Sequence, residues 1–175
     1  IYEQLVGAQV EGAYENAERA YQQAIAENPT NPLFYLRLAQ LAVVRNDVEK
    51  TKEYLEQALA LKPNFAEVLF MLAQVEAARG DAEAAILAAY AATQAAPQEP
   101  VAWFQFGTML YQTGKYEEAA SALEQAVLLN GNYANALYVL GLTYIQLEKT
   151  PEAKAAFGRV LELNPHQDLW LHSEL

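Results

Sequence analysis

The sequence predicts an all-α solenoid in which short helical units stack side by side. Turn-forming residues recur 34 residues apart along the chain, at Pro29, Pro63, Pro97, Gly131 and Pro165. A fixed period of this length marks a repeat architecture, because each unit can bury its apolar face only against its neighbours. Alanine, leucine, glutamate and glutamine dominate the composition. Their intrinsic preference for helix supports the all-α class.

The closing turns divide the chain into four full repeats without a linker, so we expect a single array over residues 1–175. Residues 1–31 form a partial repeat, and residues 168–175 are either a truncated cap or the start of another repeat. Asp168 is a candidate N-cap in that tail. The full repeats are residues 32–65, 66–99, 100–133 and 134–167.

Each repeat is predicted to be a helix, a turn and a second helix. Apolar residues recur at helical spacing in two runs, and a short break separates the runs. The breaks fall at Gly12, Asn46-Asp47, Gly80-Asp81, Gly114-Lys115 and Glu148-Lys149.

Small side chains recur at two places of the repeat, which explains how its two helices can pack closely. The eighth place holds only alanine or glycine, and the twentieth holds nothing larger than threonine. A glycine inside a helix costs about 1 kcal/mol in propensity and therefore needs a packing reason. The residues are Ala39, Ala73, Gly107 and Gly141 at the eighth place, and Ala17, Thr51, Ala85, Ala119 and Ala153 at the twentieth.

These residues resemble the tetratricopeptide repeat, whose 34-residue pattern is W-x2-L-G-x2-Y, then A-x3-F, then P. The repeat over 134–167 lacks only the tryptophan, which Trp103 supplies in the repeat before it. Glu76 departs from the pattern, since an apolar residue or tyrosine is expected there. Residues 134–167 carry the pattern at Leu137, Leu140, Gly141, Tyr144, Ala153, Phe157 and Pro165. The resemblance implies a right-handed solenoid that binds protein or peptide partners.

Composition and charge exclude several classes of function. The net charge is −11 with only 11 lysines and arginines, so the clustered cations that nucleic acids and anionic membranes require are missing. The chain has no cysteine, and no apolar run approaches the ~18 residues of a membrane span. We expect no cofactor and no membrane insertion by this segment.

The sequence offers no catalytic constellation. His166 and His172 lie in the last turn and the tail, without a ligand partner at helical spacing. Ser121 lies inside a regular helix, and Ser173 cannot form a triad with the histidine beside it. We therefore expect a protein that is not an enzyme, without a metal.

The resemblance implies that the first helix of each repeat lines a concave groove. The implied lining is apolar and aromatic with a fringe of amides, and it lacks the Lys and Arg that clamp acidic peptides in some relatives. The partner is then a largely uncharged or amphipathic peptide segment, touched by Phe104 and Tyr111 but not by Trp103. The groove residues are Leu36, Gln40, Val43, Phe70, Gln74, Phe104, Thr108, Tyr111, Gln112, Tyr138, Leu142, Ile145 and Gln146.

Three alternatives stay open. Phe70 and Phe104 could belong to the core, which would make the groove shallower. Residues 28–65 and 132–144 are also similar to repeat domains of bacterial polytopic membrane proteins, some resembling O-antigen ligases or polymerases. The chain would then be a regulatory or assembly domain, cytoplasmic or tethered to a membrane through upstream sequence. Finally, uncapped ends could let the array associate with itself.

Overall fold

The computed structural model describes residues 12–164, and within that range every regular element is an α-helix. The all-α prediction is confirmed. The partial repeat contributes one described helix, and each full repeat contributes two. The helices are α1 (Ala13–Glu27), α2 (Pro32–Val44), α3 (Val48–Leu61), α4 (Ala66–Arg79), α5 (Ala82–Ala95), α6 (Pro100–Gln112), α7 (Tyr116–Leu129), α8 (Ala134–Gln146) and α9 (Thr150–Leu163).

The first helix of every full repeat begins at the residue where the periodicity starts the repeat. Helices α2 and α6 open with a proline, which needs no hydrogen-bond acceptor in the first turn. The Asn31 side chain accepts a hydrogen bond from the Leu33 amide at 3.1 Å and caps α2. Asp47 accepts one from the Lys50 amide at 3.1 Å and caps α3.

Every break between the two helices of a repeat contains a residue in the left-handed conformation. Glycine fills that position in three of the five breaks, with φ of 76° at Gly114, for example. Asn46 and Glu148 adopt φ of 56° and 58° without being glycine. A residue other than glycine is strained in this conformation, so the turn requires a left-handed residue even where no glycine is present.

The glycines at the eighth place are required by close packing of the two helices within a repeat. A Cβ at Gly107 would lie 2.7 Å from Cγ of Leu123 on α7, and one at Gly141 would lie 2.7 Å from Cε1 of Phe157 on α9. Real Cβ atoms do not approach other carbons so closely, so these positions admit no side chain unless the opposing residue moves.

The contacts divide the chain into two units, Ile1–Ala88 (unit 1) and Ala89–Leu175 (unit 2). In unit 1, α2 packs on α1, α3 on α2 and α4 on α3. In unit 2 the same order joins α6, α7, α8 and α9. Within each unit these helices pack on their neighbours in sequence, as in an α-solenoid. That all repeats form a single array stays a prediction.

Several predicted features lie outside the described residues. These are the beginning of the partial repeat over residues 1–11, the closing Pro165, the tail over 168–175 with its candidate cap Asp168, and the residues His166, His172 and Ser173.

Candidate functional site

In unit 1 the candidate binding residues lie on α2 and α4. Leu36 is 1% exposed, in a cluster with Leu55 of α3 and Val68 of α4. It therefore belongs to the core, and its place in the groove lining has to be corrected. Phe70 is half-buried, whereas Val43 is 50% exposed.

Gln40 is already engaged by two charged residues of unit 1. The Arg37 guanidinium donates to its amide oxygen at 2.8 Å, and its amide nitrogen donates to the Glu67 carboxylate at 3.4 Å. The periodicity did not assign Arg37 or its pairing with Gln40, because the residue falls between the places that line a groove in related repeats. The neighbourhood of Gln40 is therefore more polar than predicted.

Two other candidates, Val43 and Gln74, meet in an open pocket of about 180 Å³. Most of the wall is apolar, and it is built from the end of α2, the turn after it, the start of α3 and the second half of α4. The lining residues are Val43, Asn46, Val48, Thr51, Met71, Gln74, Val75 and Ala78.

On α6 of unit 2 the candidates divide between structural and accessible roles. The Phe104 ring lies 5.0 Å from the Tyr133 ring and packs against the core cluster of α7 and α8, in agreement with the core alternative. The Thr108 hydroxyl donates to the Phe104 carbonyl at 2.8 Å. The Tyr111 ring lies 5.7 Å from the Tyr116 ring and is half-buried, and Gln112 is exposed.

The neighbouring Trp103 has a structural role. Its indole N–H donates to the Pro97 carbonyl at 2.9 Å, which ties the start of α6 to the preceding turn. Whether Phe104 and Tyr111 touch a ligand that Trp103 does not touch stays a prediction.

On α8 the apolar candidates are half-buried, and the amide side chain of Gln146 is exposed. The Tyr138 ring lies 5.8 Å from Phe157, and Leu142 and Ile145 pack on the same cluster of α8 and α9. Gln146 is exposed at the end of the helix. Each of α6 and α8 therefore combines half-buried apolar side chains with an exposed glutamine at the C-terminal end of the helix.

The charges of unit 2 are strongly segregated. Neither α6 nor α8 contains a charged residue, whereas α7 and α9 carry seven between them. These seven are Glu117, Glu118, Glu124, Glu152, Lys154, Arg159 and Glu162.

Unit 1 contains a buried carboxylate, Glu76, which is 3% exposed. Its Oε1 lies 2.6 Å from the Lys52 ammonium, and its Oε2 lies 3.4 Å from Nε of Arg79 without a hydrogen bond. The hydrogen bond to Glu76 raises the pKa of Lys52. Arg79 also pairs with Glu49, and this hydrogen bond lowers the pKa of the Glu49 carboxyl. The network ties α3 to α4.

Over residues 12–164 no group of three or more His, Cys, Asp or Glu side chains could hold a metal ion. None of the helices in this range has the length and apolar character that crossing a membrane would take.

The fold is an α-solenoid, and two of its first helices, α6 and α8, carry no charged residue. Family models agree with this class. Two tetratricopeptide repeat models match residues 36–100 and 11–50, and the model for subunit 3 of the anaphase-promoting complex (cyclosome) matches residues 78–160. Together with the motif seen in the four full repeats, these matches show that the chain is a tetratricopeptide repeat protein.

Solved structures share the fold. MamA is 22% identical with a TM-score of 0.80, and the match covers 90% of this chain and 92% of MamA. YrrB, described as a tetratricopeptide repeat protein with an unusual peptide-binding site, is 22% identical with a TM-score of 0.80, over 99% of this chain and 88% of YrrB. MamA from Desulfovibrio magneticus RS-1 is 20% identical with a TM-score of 0.78, covering 95% of each chain. A search of curated sequences gave no significant match.

Proposed function

We propose that the protein is a non-catalytic interaction module that binds a largely uncharged or amphipathic peptide segment on the first helices of its repeats. The observation that carries the proposal is the absence of charged residues from α6 and α8, next to second helices that carry seven. Solenoid repeats use an extended face of this kind for binding. YrrB, which shares the fold, is described as having a peptide-binding site.

The neutral helices select the chemistry of the partner. A charged side chain that loses water against α6 or α8 would find no opposite charge on these helices, which is unfavourable. Half-buried Tyr111 and Tyr138 offer apolar ring surface with a polar edge. Exposed Gln112 and Gln146 can donate to and accept from a peptide backbone.

The test starts from a random peptide library selected on the immobilised protein. We expect the enriched peptides to lack charges at their central positions. The double variant Gln112→Ala, Gln146→Ala should weaken a selected peptide about ten-fold, because each lost hydrogen bond contributes about 0.5–1.5 kcal/mol. Isothermal titration calorimetry measures the change. Phe104→Ala is a poorer test, since Phe104 packs on Tyr133 and on the core.

A matched control is Gln98→Ala, which removes an exposed amide from the turn before α6. Its affinity should equal that of the unchanged protein. Enrichment of acidic or basic peptides, or equal binding by the double variant, would refute the proposal.

No contact among residues 12–164 favours self-association or a role within a larger membrane enzyme, so neither alternative is proposed.

A further inference from the structure

The pocket of unit 1 has the dimensions of a site for one side chain. Its volume is about 180 Å³. Sites for complete small-molecule ligands are larger, roughly 300–1,000 Å³. An apolar cavity of about 150 Å³ is large enough for a benzene molecule. The pocket therefore fits one side chain and not a cofactor.

Its wall is apolar in character, including the one hydroxyl it contains. Thr51 is 1% exposed, and its hydroxyl donates to the Asp47 carbonyl at 2.7 Å. That bond satisfies the hydroxyl within α3. The apolar wall residues are Val43, Val48, Met71, Val75 and Ala78.

Two amides provide the polar part of the lining. Asn46 and Gln74 line the pocket, and neither side chain makes a hydrogen bond to another residue of the described range. The Asn46 backbone is held in place, because its amide donates to the Val43 carbonyl at 2.9 Å. These amides can bond the main chain on either side of a bound side chain.

The basic residues that adjoin the pocket in sequence are paired within the chain, whereas the Asp47 carboxylate accepts a hydrogen bond from the Lys50 amide. Arg45 pairs with Glu15 at 3.4 Å, Lys52 with Glu76 at 2.6 Å, and Arg79 with Glu49. A partner carboxylate would therefore find no free counter-charge from these residues, and its burial would be unfavourable. An uncharged side chain meets no such cost.

We infer that this pocket is a specificity site that takes a single aliphatic side chain, of the size of leucine or methionine, from a bound peptide. Asn46 and Gln74 bond the peptide backbone beside it. The inference rests on the proposed function and names the anchor residue that the partner must supply in unit 1.

The chain offers a built-in reporter, because its only two methionines are Met71 and Met109. Met71 lines the pocket, whereas Met109 is 8% exposed in unit 2 and serves as an internal reference. The full chain with ¹³C-labelled methionine methyl groups is titrated with N-acetyl-L-leucinamide. We expect a saturable shift of the Met71 signal in the millimolar range, and no shift at Met109.

A matched pair of variants locates the effect. Ala77 and Ala78 are adjacent exposed residues of α4, but only Ala78 lines the pocket. Ala78→Phe should fill the pocket and weaken the leucinamide response of Met71 at least ten-fold. Ala77→Phe should leave it unchanged. Helical circular dichroism and a cooperative urea transition of the Met71 signal show that unit 1 is folded in both variants.

Two results would overturn the inference: no response of Met71 to N-acetyl-L-leucinamide, or an equal response to N-acetyl-L-lysinamide. Peptides selected on the whole protein then separate the two proposals. If they still lose affinity in the Gln112→Ala, Gln146→Ala variant, only the pocket inference fails. If no peptide is enriched either, the proposed function fails as well.

Discussion

Units 1 and 2 place different chemistry at the same interface between a second helix and the first helix of the next repeat. In unit 1, Glu76 of α4 meets Lys52 of α3 at 2.6 Å, and Lys52 also lies 3.8 Å from Glu56. Two repeats later, 68 residues along the chain, Tyr144, Ala120 and Glu124 take the places of Glu76, Lys52 and Glu56. There the Tyr144 hydroxyl donates directly to the Glu124 carboxylate at 2.8 Å.

The difference shows that this interface can be held by an ion pair or by a tyrosine–glutamate hydrogen bond, and the two contacts respond differently to substitution. The Tyr144 phenol bonds Glu124 without a cation, and its ring packs on apolar residues of unit 2. A carboxylate at that place must be neutralised by lysine. Losing one member of a buried ion pair leaves a charge without its partner, which costs more than losing a hydrogen bond at a half-exposed site.

The largest effect is expected when the ion pair is broken. Lys52→Ala should lower the free energy of unfolding of unit 1 by about 3 kcal/mol, because Glu76 keeps only the weaker contact with Arg79. Urea unfolding followed by the Met71 methyl signal measures unit 1, and the Met109 signal reports unit 2 for comparison.

A second variant introduces into unit 1 the tyrosine–glutamate hydrogen bond found in unit 2. Lys52→Ala combined with Glu76→Tyr should restore most of the lost stability, since a phenol can then bond Glu56 as Tyr144 bonds Glu124. A loss below about 1 kcal/mol in Lys52→Ala alone would show that the pair is not a stabilising contact.

A smaller effect is expected from the tyrosine of unit 2. Tyr144→Phe should cost about 1 kcal/mol, because it removes one hydrogen bond while Glu124 remains solvated. Tyr90→Phe is the control, since Tyr90 is 49% exposed and its hydroxyl has no partner in the described range. Equal unfolding midpoints for Tyr144→Phe and the unchanged protein would contradict the assignment.

The pH dependence of stability should differ between Tyr144 of unit 2 and Glu49 of unit 1. Burial and the bond to Glu124 raise the pKa of Tyr144 above its unfolded value of about 10, so its contribution is complete below pH ~10 and lost above it. The pKa of Glu49 is lowered by Arg79, so its contribution is present above pH ~4.3 and lost as the pH falls. Tyr144→Phe should reduce the alkaline loss, and Glu49→Gln should reduce the acid loss, in urea midpoints measured across pH.

The smallest effect concerns the turns. Glu148→Gly in unit 2 should stabilise by about 0.5–1 kcal/mol, because glycine adopts φ of 58° without strain. Asn46→Gly in unit 1 should gain only a few tenths of a kcal/mol, since asparagine tolerates this conformation better. Thermal unfolding of the two variants measures the difference, and an equal gain would mean that side-chain type does not matter in these turns.

The helical period was sufficient to predict the helices, but not which side chains remain accessible. The places of Gly107 and Gly141 follow from the repeat, since only a missing Cβ permits the observed approach to Leu123 and Phe157. Leu36 and Phe70 occupy the same place of successive repeats, yet the first is buried and the second half-buried. Leu36 is enclosed by Leu55 of α3 and Val68 of α4, and its own helix does not reveal these contacts.

The sequence by itself determined the repeat, its turns and the absence of charge from α6 and α8, because these depend on local backbone preference, on residue type and on a fixed period. Only the tertiary structure decided that Val43 and Gln74 share a pocket, that Gln40 bonds Glu67, and that Glu76 is buried beside Lys52. Such contacts join residues of different helices or turns. They depend on how side chains fill the space between packed helices, which local preference does not specify.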